Sequence, residues 1–350
     1  MSADVAVAVA GAGGWGKNLV RVFSGLEGCV LRAVCDLNPK VLEAHRRALP
    51  GVLMTTDLDQ VLADPSIDAL VVAVDAPAHH GLARAALRAG KHVFVEKPLT
   101  IDVAHAEELT ALAQQMDRQL MVGHLLIYHP AMTYVKEVCA SGELGDVHYL
   151  YSQRLNLGII RSSENAWWSL APHDVALALW LFDSTPASVI ATGATYLQTG
   201  RGIEDVVFAS LGFPDGRMAQ IHVSWLDPHK MRKLTIVGSK KMLVFDDTLA
   251  DEKIRIYDKG AAPRAGYTSY ADGVAVRSGD IRIPNLVMKE PLALECAEFR
   301  DCIRERRPPR TPGAAGLAVV RVLDAGARSL AKGGARIELG AAPAAAPGAS

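Results

Sequence analysis

The sequence predicts an α/β chain in two parts: a doubly wound parallel sheet, then an α+β domain with a large, mostly antiparallel open sheet. Three observations predict it. A glycine-rich turn sits between an apolar run and a helix within residues 5–24, apolar runs then alternate with helices as far as Gly123, and beyond Pro186 strand-like runs follow one another across short turns. The 350 residues exceed one ordinary core and suit two domains. The expected boundaries are 1–123, 124–335 and a low-complexity, disordered tail at 336–350.

VAVAVA at residues 5–10 has no polar face, as a parallel strand buried on both sides requires. Gly11, Gly13 and Gly16 follow at once as G-x-G-x-x-G and open a helix over 17–24. Glycine there permits the tight turn, the approach of backbone to a pyrophosphate and close helix packing. The next apolar run, 30–35, ends in Asp36, about 20 residues after Gly16, where a carboxylate accepts hydrogen bonds from a ribose diol and repels a 2′-phosphate. This pattern implies a Rossmann domain that binds NAD rather than NADP.

The alternation continues with a strand at 68–74, a helix at 80–89, a strand and its exit at 91–98, a helix N-capped by Thr100 and running to 116, and a strand at 120–123. Asp36, Asp75, Glu96 and Lys97 fall at the carboxyl ends of these strands, the edge at which doubly wound sheets hold ligands.

After Gly123 the pattern changes. A helix at 130–141 precedes a strand at 147–154, and SSENAWWSLAPHDVALALWLF at 162–182 follows. Its apolar surface is too wide to lie exposed, so the polar head, His173 with Asp174, is expected to open a buried helix. Strands are expected at 189–195, 206–213, 218–225, 233–237, 242–245 and 254–257, with a turn at Pro214-Asp215-Gly216. Residues 260–285 read as a long irregular loop, and helices at 292–304 and 314–331 complete the ordered chain.

Composition excludes several classes. The 37 lysines and arginines nearly balance 38 acids, so no whole-molecule field draws the chain to nucleic acid or an anionic membrane. Any anionic ligand is then met by local groups. The five cysteines are odd in number and scattered, with no metal-ligand spacing, which points to reduced thiols in a cytoplasmic protein without a metal site. The apolar run at 5–10 lacks the basic flank of a signal peptide, and no run approaches the roughly 20 residues that span a bilayer.

GAGGWG, Asp36, VFVEKPL, the helix with His173, and EPLALECAEFRDCI at 290–303 together resemble the Gfo/Idh/MocA family of NAD(P)-dependent sugar and polyol oxidoreductases, over residues 4–332. The resemblance implies a C-terminal open sheet that serves as the interface of a homodimer or homotetramer. It also implies a cofactor set of Gly11, Gly13, Gly14, Trp15, Gly16 and Asp36, joined by Val74, Asp75, His80, Glu96 and Lys97. RLNLG at 154–158 and SENAWWSLAPHD resemble the branch that oxidises C3 of UDP-N-acetylglucosamine, or of its uronate, to a 3-keto sugar for a partner aminotransferase in lipid A or O-antigen synthesis.

Oxidising a secondary alcohol requires a group at the hydroxyl oxygen and an acceptor for its proton. Lys97 can stabilise alkoxide character or, when neutral, take the proton; His173 titrates near working pH and is the second candidate base. Arg154, Asn156, Arg161 and Asn165 offer donors for phosphate and acetamido oxygens. Trp167 and Trp168, Trp168 above all, are placed to border a sugar or uracil ring, and Tyr128 and His129 to line the pocket.

Three positions depart from the family pattern. Ser169 stands where many members carry an aspartate four residues before this histidine, Asp75 where a small or hydroxylated residue is common, and Lys241 where a glycine is frequent. Asp174 is assigned a structural role, since adjacent helical residues point about 100° apart. Two alternatives stand beside the nucleotide sugar: a dehydrogenase or ketoreductase of an unlinked sugar, inositol or deoxysugar, and a non-catalytic NAD-binding sensor or scaffold.

Overall fold

The computed structural model describes residues 4–263 and 274–340. Contacts divide the chain into two compact units: one runs to His129 and regains Lys289–Val320, and the other holds Pro130–Met288 and the chain from Arg321 on. The return of 289–320 to the first unit is invisible to a reading along the sequence.

In the first unit β1 (Val5–Ala10) is buried along its whole length and pairs in parallel with β2 (Cys29–Cys35) and β4 (Ala69–Val72). With β3 (Leu53–Thr55), β5 (His92–Glu96) and β6 (Leu120–Gly123) it forms a six-stranded parallel sheet in the order β3-β2-β1-β4-β5-β6. Strand addition reverses between β1 and β4, and the crevice at such a switch point is where doubly wound sheets bind ligands. The helices are α1 (Gly16–Gly25), α2 (Pro39–Arg46), α3 (Leu58–Ala63), α4 (His79–Arg88) and α5 (Val103–Gln115).

The sequence reading passed over α2, β3 and α3, elements of 8, 3 and 6 residues that carry too few periodic positions to stand out. It also misplaced a cap. The N-cap of α5 is Asp102, whose Oδ1 accepts the amide of His105 at 3.1 Å, while the Thr100 hydroxyl donates to the carbonyl of Asp102 at 2.6 Å. The charged acceptor takes the helix end, and the hydroxyl shapes the approach to it. The returning segment supplies α8 (Pro291–Glu305), which packs on α1 and β1, and the amide of Val122 donates to Thr311 O at 2.9 Å.

The second unit is a nine-stranded sheet in the order β14-β13-β12-β11-β7-β10-β9-β8-β15. Its strands are β7 (Val147–Leu155), β8 (Ser188–Ala194), β9 (Val206–Gly212), β10 (Met218–Ser224), β11 (Met231–Gly238), β12 (Met242–Asp246), β13 (Ile254–Pro263), β14 (Val274–Arg282) and β15 (Ile337–Glu338). β7 and β10 pair in parallel, and every other neighbour is antiparallel. Where a long loop was expected after residue 260, β13 extends and pairs with β14; residues 264–273 of that stretch lie outside the described residues. Part of the expected tail is ordered too, because β15 adds to the edge of β8, a pairing that composition cannot announce. Residues 341–350 lie outside the described residues.

Two helices, α6 (Pro130–Ala140) and α7 (Ala166–Phe182), precede the main run of strands. α7 packs on β7, β9 and β10. The helix does not open at His173: it begins seven residues earlier, with Asn165 Oδ1 accepting the amide of Trp168 at 3.0 Å and Glu204 O accepting the amide of Ala166 at 2.9 Å. Pro172, just before the expected start, lies inside the helix. A proline there forfeits one backbone hydrogen bond, and burial of nearly the whole helix against the sheet outweighs that loss. α9 (Gly313–Ala331) closes the helical inventory.

Trp167 anchors α7. It is fully buried, its indole nitrogen donates to Leu323 O at 2.9 Å, and Gly326 must lack a side chain because a Cβ there would lie 2.5 Å from that nitrogen. Trp167→Ala is expected to lower the unfolding free energy by about 3–5 kcal/mol in urea titrations followed by circular dichroism.

Candidate active site

At the turn from β1 into α1 the backbone leaves no room for side chains on one side and open space on the other. A Cβ on Gly11 (φ +88°) would lie 2.5 Å from Ala73 O, and one on Gly16 would lie 1.9 Å from Gly11 O. Gly13 and Gly14 would meet nothing within 4 Å. α1 has no side-chain cap and no acid in its first turn, so the positive end of its dipole meets no protein charge there and suits an anion. Asp36 is held ready beside this loop: Oδ2 accepts the amide of Ala12 at 2.8 Å and Oδ1 that of Asn38 at 2.9 Å. Glycine cradle, uncapped helix and oriented carboxylate fit the pyrophosphate and adenosine ribose of NAD.

The other strand ends converge on the same unit. The exposed Trp15 donates its indole N–H to Glu96 Oε1 at 2.5 Å, tying the glycine-rich loop to the end of β5. Glu96 Oε2 accepts the amide of Lys97 at 3.2 Å, and the carboxyl lies over Gly123, where a Cβ would meet it at 3.2 Å. Burial pushes the Glu96 carboxyl up to about 6, against the opposing pull of Trp15 and of the Lys97 charge and amide. His124, after β6, is buried, and desolvation with the charge of Lys97 pulls it down to about 3, so it is neutral at working pH.

Of the two adjacent histidines the sequence reading chose His80. The structure sets His80 against α5, with Nε2 2.8 Å from Glu108 Oε2 and its ring stacked on His105 at 3.8 Å between centroids. His79 is the one that reaches the strand ends: it is buried, with Nδ1 2.8 Å from Pro98 O and Nε2 3.0 Å from Val74 O. It clasps the exit of β4 to the Lys97–Pro98 turn. Burial lowers its proton affinity, and the two carbonyls oppose that. Asp75 is exposed at the head of the 3-10 turn Ala76–Ala78. Tyr128 is buried, its hydroxyl bonded to Thr311 Oγ at 2.8 Å and its ring under the Arg310 guanidinium, and His129 is also buried.

In the second unit, His173 and Ser169 share one face of α7, one turn apart. Asp174 is buried and takes Arg154 at 2.6 Å and 3.3 Å, so an ion pair pins α7 to β7. The Arg154 charge, expected to meet an anionic ligand, is therefore already neutralised. Asn165 is occupied as the helix cap and by Glu204 at 2.8 Å; Trp168 is half-buried, and Asn156 exposed. Arg161 stays half exposed, with Glu164 at 3.0 Å. Arg201, which the sequence reading did not consider, joins this loop by donating to Ser162 O at 3.4 Å, a neutral acceptor that leaves its charge for an anion. Its 39-residue separation from Ser162 hid the pairing.

Glu295 was also passed over, although a signal existed. It falls on the buried face of α8 with Leu292, Phe299 and Cys302, where a helical wheel shows an acid among apolar residues. All five cysteines are free thiols, and burial raises each of them, Cys29, Cys35 and Cys139 to about 11, so they stay protonated. No helix among the described residues is long and apolar enough to cross a membrane.

Comparison with known proteins agrees with this geometry. The family model described as an oxidoreductase family with an NAD-binding Rossmann fold matches residues 5–124, and that of the GFO/IDH/MocA C-terminal domain matches 132–244. The chain is 28% identical to UDP-N-acetylglucosamine 3-dehydrogenase of Acidithiobacillus ferrooxidans over 74% of its own length and 79% of the relative's. It is 26% identical to inositol 2-dehydrogenase of Rhizobium meliloti over 92% and 96%. Among solved structures, GenD2 from gentamicin A biosynthesis in complex with NAD superimposes with a TM-score of 0.81 at 25% identity, covering 97% of this chain and 98% of that one.

Asp36→Ser should weaken NAD binding about 10- to 100-fold and erase the preference over NADP, because two hydrogen bonds to a charged acceptor and the repulsion of a 2′-phosphate are lost together. Calorimetric titration with both cofactors measures this.

Proposed function

Because the chain belongs to the Gfo/Idh/MocA oxidoreductase family, we propose that it oxidises a secondary hydroxyl of a sugar, and that the sugar is a UDP-linked amino sugar oxidised at C3. The observation that carries the NAD-dependent part is the glycine cradle at Gly11 and Gly16 with Asp36 oriented beside it. Two observations support the substrate class: the similarity to UDP-N-acetylglucosamine 3-dehydrogenase, and the loop at Ser162, beside Arg161, to whose carbonyl Arg201 donates with its charge uncommitted to an acid.

NAD bound at the glycine-rich loop supplies the hydride acceptor. Lys97 is assigned to the hydroxyl oxygen, where its ammonium stabilises developing alkoxide character. His173 is assigned to the departing proton. With Ser169 rather than an acid one turn before it, His173 has no carboxylate at that position to stabilise its imidazolium. The Arg154–Asp174 pair has a positioning role, holding α7 and with it His173.

A second reading has its own observation. Inositol 2-dehydrogenase aligns over 92% of this chain, and Arg154 is already neutralised, so an unlinked polyol needing no phosphate site is the alternative substrate. Self-association is proposed through the sheet face that exposes Tyr149, Tyr151, Phe208 and Met218. Delivery of the 3-keto product to an aminotransferase follows from the preferred substrate.

NADH absorbance with a panel of UDP-hexosamines, their uronates and free polyols decides between the two. UDP-N-acetylglucosamine or its uronate should turn over, with kcat reduced about 10²- to 10⁴-fold in Lys97→Ala and in His173→Ala. Arg201→Ala should raise KM about tenfold with kcat nearly unchanged. Turnover confined to free polyols would overturn the nucleotide-sugar assignment.

A further inference from the structure

Two loops of the second unit, 156–165 after β7 and 195–203 after β8, are tied to each other and to one dipeptide. Between the loops, the Gln198 side-chain amide donates to Arg161 O at 2.7 Å, and Arg201 donates to Ser162 O at 3.4 Å. Just ahead of β9, Glu204 holds the first loop where it enters α7. Its Oε2 accepts the Asn165 side-chain amide at 2.8 Å and its carbonyl accepts the amide of Ala166 at 2.9 Å. The next residue, Asp205, holds the second loop. Its Oδ2 accepts the amides of Tyr196 at 2.7 Å and Leu197 at 2.8 Å, and its Oδ1 accepts the Trp225 indole N–H.

Asp205 has none of its surface exposed. Burial raises its proton affinity, but the three N–H donors outweigh that and hold the carboxyl below the usual carboxylate range, so it is an anion at working pH. Its backbone is fixed as well. The amide donates to Ala194 O at 2.9 Å and the carbonyl accepts the amide of Trp225 at 3.2 Å, which ties the residue to the ends of β8 and β10. The loop held in this way carries Arg201, which is exposed and bonded to a neutral carbonyl. A free loop loses backbone and side-chain entropy when its arginine closes on an anion; a loop already fixed by a buried acid has lost the backbone part beforehand.

We propose that Asp205 and Gln198 are positioning residues for substrate binding: Asp205 holds the 195–203 loop to the sheet and Gln198 ties it to the 156–165 loop, so that Arg201 meets the diphosphate of a nucleotide sugar. This rests on the nucleotide-sugar reading above. Neither residue touches the diphosphate; both act through the guanidinium that does.

The test measures UDP binding by calorimetry on the full chain saturated with NAD, which keeps UDP from the glycine-rich loop. Asp205→Asn turns an NH2 group toward either the two amides or the indole, so donor meets donor on one side of the hold. It should weaken UDP about five- to tenfold, with the NAD Kd unchanged as the check that the fold persists. A double-mutant cycle separates positioning from general loosening. In an Arg201→Ala background, Asp205→Asn should weaken UDP by less than about twofold further, because the arginine through which it acts is gone. Additive losses would overturn the proposal, as would an Asp205→Asn chain that binds UDP like the wild type. Should Asp205→Asn not fold, Gln198→Met, at a partly exposed residue, removes only the tie between the loops and goes through the same cycle; about a threefold loss that vanishes with Arg201→Ala is expected, and no loss overturns the proposal. A wild type that turns over UDP-sugars while the variants bind UDP unimpaired sinks this inference alone. A wild type without affinity for UDP sinks the nucleotide-sugar reading with it.

Discussion

Backbone touches backbone where α1 leaves β1. A Cβ at residue 16 would lie 1.9 Å from Gly11 O, and one at residue 11 would lie 2.5 Å from Ala73 O, so both positions must be glycine. That close approach brings the start of α1 back against the end of a fully buried strand, and the helix has no side-chain cap there. The open cradle at Gly13 and Gly14, the placing of Asp36 and the reach of Trp15 to Glu96 accompany it. Elsewhere in the sheet a methyl group is tolerated or welcome; here it would close the site.

Around that turn the first unit gathers polar groups that a core normally rejects. His79, Glu96, His124 and Glu295 are all wholly or largely withdrawn from water, and each is held in an unusual protonation balance by burial. His79 bonds to two carbonyls and Glu96 to two N–H groups, which fixes the exits of β4 and β5 relative to the loop. The strand ends beside the glycine-rich loop therefore present a surface whose shape is set by hydrogen bonds formed in advance.

The second unit uses a different device. α7 is apolar nearly all round, so hydrophobic burial decides that it packs but says little about its rotation. The Arg154–Asp174 pair and the Trp167 indole supply direction: a buried ion pair and a buried donor are satisfied in one arrangement only. His173 inherits its orientation from these neighbours. Arg154 is committed to Asp174 by the same pair, whereas Arg161 and Arg201 stand in the exposed loop, the first with Glu164 and the second on the carbonyl of Ser162.

The sequence by itself determined the parallel unit, the glycine-rich turn with Asp36, the strand ends at Glu96 and Lys97, and the antiparallel character of the second unit. Each is encoded locally, in period, in turn chemistry or in a fixed spacing along the chain. Tertiary structure decided the rest. The start of α7 moved from His173 to Ala166 because burial against the sheet overrides a proline that locally reads as a helix start. His79 took the place expected of His80, since neighbouring helical residues face different surroundings and only packing tells them apart. Arg201 met the Arg161 loop across about 40 positions. Pairings of that kind are written in no window of sequence, because the energy that selects them, burial with mutual satisfaction of polar groups, exists only once the chain has folded.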